Sequence, residues 1–168
     1  VINTHIYDDS AEKIGPALMQ LGAAATLTKL SPHNSTVFHQ LYHSAQTPFA
    51  DHEALKDLNV ENLQKAQHAI TQAQADLELA TPASIDGKQA ILEIELIANL
   101  ALHGCKLGRY RFETLKGTIE EVSKEKRQEL REELAAIVQR HRDLWVGSNR
   151  IGGMEESAEK MEKNLAIY

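Results

Sequence analysis

The sequence predicts an all-α fold, an up-down antiparallel helical bundle with its shorter helices at the N-terminal end. Three observations carry that prediction. Of 168 residues, 21 are alanine and 20 leucine, while aromatics make up only 5%, a balance that favours helices over sheets. The four prolines, Pro16, Pro32, Pro48 and Pro82, all lie before residue 83, so the rest of the chain is free to run as long helices. From Asn59 onward apolar residues recur at steps of three and four, the period of a single buried helix face.

Taken in order, a first helix is expected from Asp9 or Ser10, either of which can cap it, through Ile14, Leu18, Leu21 and Ala25 to about Lys29. Gly15-Pro16 is either a kink within it or its true start. Ser31 to Ser35 reads as a loop, and Phe38, Leu41 and Tyr42 mark one face of a short helix. Asp51 to Leu58 can form about two turns. Val60, Leu63, Ala66, Ile70, Ala73, Leu77 and Ala80 then define an amphipathic helix that stops at Thr81-Pro82. Ser84 can cap a helix running to roughly Thr114, whose Ile91, Leu92, Ile94, Leu96, Ile97, Leu100 and Leu102 point almost all round, as in a buried centre. A third long helix is expected from Thr118 to Val146 and a closing one from Met154 to Leu165. Short connections near Pro82 and Gly117 imply antiparallel neighbours.

Length and composition bound the function. The chain reads as a single helical domain over residues 1–168, and Val1 in place of Met suggests a piece of a longer protein. Net charge is −6, with no acidic or basic block, which argues against nucleic acid and anionic membrane as partners, since both reward clustered cations. No apolar run approaches the ~18 residues of a membrane span and no leader pattern opens the chain, so a cytoplasmic location is expected. One cysteine, Cys105, excludes an internal disulfide and a Cys-rich zinc site.

Eight histidines invite a metal. His39 and His43, spaced i,i+4, can face one ion from a helix, but two ligands are too few. His52-Glu53-Ala54-Leu55-Lys56 resembles a zincin helix until Lys56 replaces the second histidine. No Glu-x-x-His occurs, and no phosphate-binding glycine loop or Gly-x-Ser-x-Gly elbow is present. No cofactor and no metal are therefore expected. Cys105 stands two residues after His103, where a helix points the two apart, and is expected to fill core space.

Two features stand out as candidate structural or docking sites. Glu95, Asn99 and His103 fall at four-residue intervals on the most hydrophobic helix, a polar stripe that must meet partners, solvent or another domain. The second runs from His141 to Ser157: a helix end, a turn and a helix start. Gly147 or Asn149 can close the helix, Gly152-Gly153 permits a reversal, Trp145 anchors the turn from beneath, and Arg150 can bond freed carbonyls or a carboxylate.

That second stretch, Leu144-Trp145 followed by Asn149-Arg150-Ile151-Gly152-Gly153-Met154 and Glu156-Ser157, resembles the ending of bacterial family 20 glycoside hydrolases, the β-N-acetylhexosaminidases. Asp8-Asp9, Ala17-Leu18, Leu21-Gly22, Asn34-Ser35-Thr36 with Phe38 and Leu41, and His103-Gly104-Cys105 with Gly108 are similar in order and spacing to the helical region after the catalytic barrel in those enzymes. The chain departs from the family at Ile151, where proline is common, and at Met154 in place of leucine. In that family an adjacent Asp-Glu pair on the barrel does the chemistry. This chain has no Asp-Glu dipeptide. The resemblance therefore implies a non-catalytic C-terminal helical domain that packs against the barrel of its parent chain and aids homodimer contacts. A free-standing helical interaction module is the alternative, and a small histidine metalloprotein a third reading.

Overall fold

The computed structural model describes residues 2–148 and 152–168. It is an all-α, up-down bundle of α1 (Ile14–Ala24), α2 (Val37–His43), α3 (Val60–Glu78), α4 (Ile85–Phe112), α5 (Lys124–Ser148) and α6 (Met154–Leu165). No β-strand occurs among the described residues. α3 packs on both α1 and α4, α2 lies on α4, α5 on α4, and α6 on α5. No helix among them is long and apolar enough to cross a membrane.

The start of the chain takes the second of the two expected courses, with Gly15-Pro16 at the true start of the first helix. A π-helical turn, Asn3–Tyr7, comes first, and α1 begins at Ile14, so Pro16 sits in its first turn. A helix running from Asp9 would have set the proline ring against the Glu12 carbonyl. Asp9 still caps α1, from a distance. Its carboxylate accepts from the backbone N–H groups of Ala11 (3.2 Å), Lys13 (2.7 Å) and Ile14 (3.0 Å), and from that of Thr81 (2.9 Å) beyond α3. Burial raises the Asp9 carboxyl, but these four bonds outweigh it and hold the group below its ordinary value.

Asn59 and Ser84 cap α3 and α4, accepting from the N–H groups of Asn62 (2.9 Å) and Gly87 (3.0 Å). Thr36 does the same for α2 through His39 N–H (3.2 Å). Residues 51–58 form no α-helix: a 3₁₀ turn, Phe49–Asp51, leads into turns that bury Leu55 and Leu58. α5 starts six residues later than the expected Thr118, because Ile119 N–H donates to the Ala45 carbonyl (2.9 Å) and draws that segment across the bundle end. Ile119 and Val122 bury there with Tyr42, Ala45, Leu107 and Leu130.

The central core joins Ala24, Phe38, Leu41, Leu63, Ala66, Ile70, Ala98, Ala101 and Cys105. α2 and α4 meet at backbone distance, since a Cβ on Gly104 would stand 2.7 Å from the Phe38 carbonyl oxygen. α4 is only partly the enclosed centre that its sequence suggested. Its second half is buried, whereas Ile85, Leu92 and Ile97 in the first half remain exposed, Ile97 at 60%.

Candidate functional site

The polar stripe of α4 turns inward and finds partners at each position. Glu95 pairs with Arg140 of α5, and Asn99 Oδ1 accepts from Gln74 Nε2 of α3 (2.7 Å). His103 is fully buried. Its Nδ1 meets Glu133 Oε1 at 2.9 Å and its Nε2 meets the Tyr168 hydroxyl at 2.8 Å. A carboxylate can only accept, so Nδ1 carries the imidazole proton and Nε2 receives the tyrosine O–H. Glu133 also takes the Lys106 ammonium. Burial raises the Glu133 carboxyl, and the bonds from His103 and Lys106 more than offset that, leaving it an ionised acceptor. Burial pushes the Tyr168 phenol well above its ordinary range. Tyr168, His103 and Glu133 thus form one hydrogen-bonded chain, which suits a structural tie between α4, α5 and the C-terminal residue.

Asn99, Lys106, Glu133 and Arg140 also line an open groove of about 500 Å³ between α3 and α5, together with Leu102, Ala136 and Ile137. Its charges are largely cancelled in place, by Glu95 on Arg140 and by Glu129 and Glu133 on Lys106.

The C-terminal motif is seen in part. Asn149 and Arg150 lie outside the described residues. Gly153 caps α6 in the left-handed region, at φ 96°, and a Cβ there would come within 3.7 Å of the Trp145 ring; at Gly152 it would meet nothing. Trp145 is half-buried rather than enclosed, edge-on to His141 at 5.4 Å between ring centres. Among described residues the ion pairs from α5 to α6 come from Arg142, which reaches Glu155 (2.7 Å) and Glu162.

Two apolar hollows flank Ile97. One, of about 360 Å³, lies between α1, α2 and α4 and is lined by Leu18, Leu21, Phe38, Tyr42, Ile97 and Leu100. The other, of about 220 Å³, lies between α4 and α5 against Leu96, Ile97, Leu144 and Trp145.

Other chemistry-bearing residues have structural settings. Burial pushes the Cys105 thiol up to about 12, far from the thiolate a nucleophile needs. Ser44 Oγ lies 2.8 Å from His52 Nε2, but His52 Nδ1 accepts from Ala54 N–H, so Nε2 bears the proton and cannot serve as base toward that serine. No group of three or more His, Cys, Asp or Glu among the described residues could hold a metal ion. Sequence reasoning missed Arg111, fully buried at the end of α4 and held by the carbonyls of Gly117, Leu41 and Thr47. Comparison of the chain with protein-family models, with curated proteins and with solved structures finds no match.

Proposed function

We propose that this chain is a non-catalytic helical domain of a β-N-acetylhexosaminidase-like glycoside hydrolase, where it packs against the catalytic barrel and contributes to dimer contacts. The observation that supports this most is the apolar face centred on Ile97. An exposed isoleucine between two apolar hollows, with Trp145 at one end and Tyr42 at the other, is the kind of surface that a second domain covers. The motif from Leu144 to Ser157 supports the same reading through its likeness to the ending of those enzymes. The inward pairing of Glu95, Asn99 and His103 fits a domain that contributes scaffold rather than chemistry.

The test is to read the coding sequence upstream of Val1. A barrel carrying an adjacent Asp-Glu pair is the expected result. An upstream sequence without one would overturn the proposal and leave the free-standing interaction module. In the longer protein Ile97→Glu should loosen the domain from the barrel, measured as a separate, lower melting transition in calorimetry, since a charge is costly in an apolar interface.

A further inference from the structure

We propose that Asn34 is a modification site, at which the chain deamidates through its own backbone and turns the loop before α2 into an aspartyl or isoaspartyl form. The reaction needs only water. The backbone nitrogen of Ser35 attacks Cγ of Asn34, the Cγ–Nδ2 bond breaks, and ammonia leaves with the proton that the Ser35 N–H gives up. Water then opens the cyclic imide. Opening at Cγ gives aspartate, and opening at the main-chain carbonyl gives isoaspartate, with the chain rerouted through the side chain.

The attacking nitrogen must be unheld, the side chain must be free to turn onto it, and the following residue must not crowd the approach. Asn34 meets all of these. Among the described residues the Ser35 N–H has no acceptor and the Asn34 amide no hydrogen-bond partner. Asn34 is exposed, at φ 53°, in a loop where no helical ladder fixes the peptide that has to rotate. Ser35 is unbranched at Cβ and leaves its nitrogen open. The other described asparagines are each held. Asn3 Oδ1 accepts from Gly15 N–H (2.6 Å), Asn59 caps α3, Asn99 bonds Gln74, and Asn62 and Asn164 are buried within helices. Asp86-Gly87 has the least crowded nitrogen, yet Gly87 N–H donates to Ser84 Oγ (3.0 Å) in the first turn of α4 and is withheld from attack. The fold therefore selects Asn34 over a step that its sequence alone would favour. Isoaspartate here inserts a methylene just before Thr36, which caps α2 and lines the hollow beside Ile97.

The folded chain is incubated in heavy-oxygen water at mildly alkaline pH, and peptide mass spectrometry after digestion reads the oxygen taken up at each site. Isoaspartyl methyltransferase identifies the rerouted product. Asn34 is expected to convert at least about tenfold faster than Asn3, Asn59, Asn62, Asn99, Asn164 or Asp86. Ser35→Val, which crowds the attacking nitrogen, should slow that conversion by about tenfold, with circular dichroism matching the wild type. In urea the lead of Asn34 over Asp86 should be lost, because Gly87 N–H is released from its cap. Conversion of Asn34 no faster than that of the held asparagines, a rate unchanged by Ser35→Val, or a lead kept in urea overturns the proposal.

Discussion

The guanidinium of Arg111 lies 4.2 Å from the centre of the Phe49 ring while its N–H groups donate to three backbone carbonyls, those of Gly117 (2.6 Å), Leu41 (2.9 Å) and Thr47 (2.7 Å). Among the described residues no ion pair to a carboxylate holds this buried cation, and Glu120 acts on it from a distance. Desolvation lowers it to about 10, so it stays charged at neutral pH and its field is met by peptide dipoles and a ring face. Arg111→Ala would strand three acceptors and open a cavity, and is expected to cost at least about 3 kcal/mol. Arg111→Lys should recover little of it, because one ammonium cannot span the three directions of the fork. Urea melts of both variants check this.

Asp9 makes stability depend on pH in a stated direction. Its folded pKa lies below the ordinary 3.8, so its contribution is full above the unfolded value and is lost as pH falls through the folded one. Asp9→Ala is expected to cost about 1–2 kcal/mol at pH 7 through loss of the cap. The gap between variant and wild type should close in acid. Urea midpoints for both at pH 7 and pH 3 measure the two effects.

Tyr168→Phe removes the O–H that His103 Nε2 accepts and leaves a buried nitrogen without its donor. A loss of about 1–3 kcal/mol is expected. Because His103 also bonds Glu133, a double-mutant cycle of Tyr168→Phe with Glu133→Gln should show coupling of about 0.5 kcal/mol or more. Additive losses would mean that the imidazole transmits nothing between them.

Two glycine substitutions should act with opposite sign. Gly104→Ala places a methyl 2.7 Å from the Phe38 carbonyl oxygen, and separating α2 from α4 is expected to cost about 1–3 kcal/mol. Gly22→Ala, inside α1 with nothing within 4 Å, should stabilise by about 0.5–1 kcal/mol. Thermal melts of the pair compare them directly.

The purified chain is expected to leave a chromogenic N-acetylglucosaminide unhydrolysed. Turnover that co-purifies with the chain and survives repeated chromatography would contradict the scaffold reading.

The helices and the Ser84 cap were legible because they are local: Ser84 acts three residues away, and the apolar period of α3 needs no knowledge of its neighbours. The polar stripe of α4 was legible as an anomaly, since a carboxylate, an amide and an imidazole on an apolar helix demand partners. Which partners was not, because Arg140, Gln74, Glu133 and Tyr168 lie 45, 25, 30 and 65 residues away. Arg111 gave no signal for a related reason. An arginine in the last turn of a helix usually faces water near the carbonyl ends, and only tertiary packing put this one inside. The late start of α5 had the same origin, in the bond from Ile119 to Ala45.

The bond from Thr81 to Asp9 spans 72 residues of chain. Drawing together two points so far apart costs an unfolded polypeptide about 4 kcal/mol in loop entropy. A contact that expensive to reach early is a poor seed for folding. It is expected to form once α3 has been laid down between its ends, the segment before α1 then closing over an assembled bundle. Weakening it should leave the refolding rate almost unchanged and hasten unfolding, so Asp9 governs how long the native chain survives rather than how fast it is made.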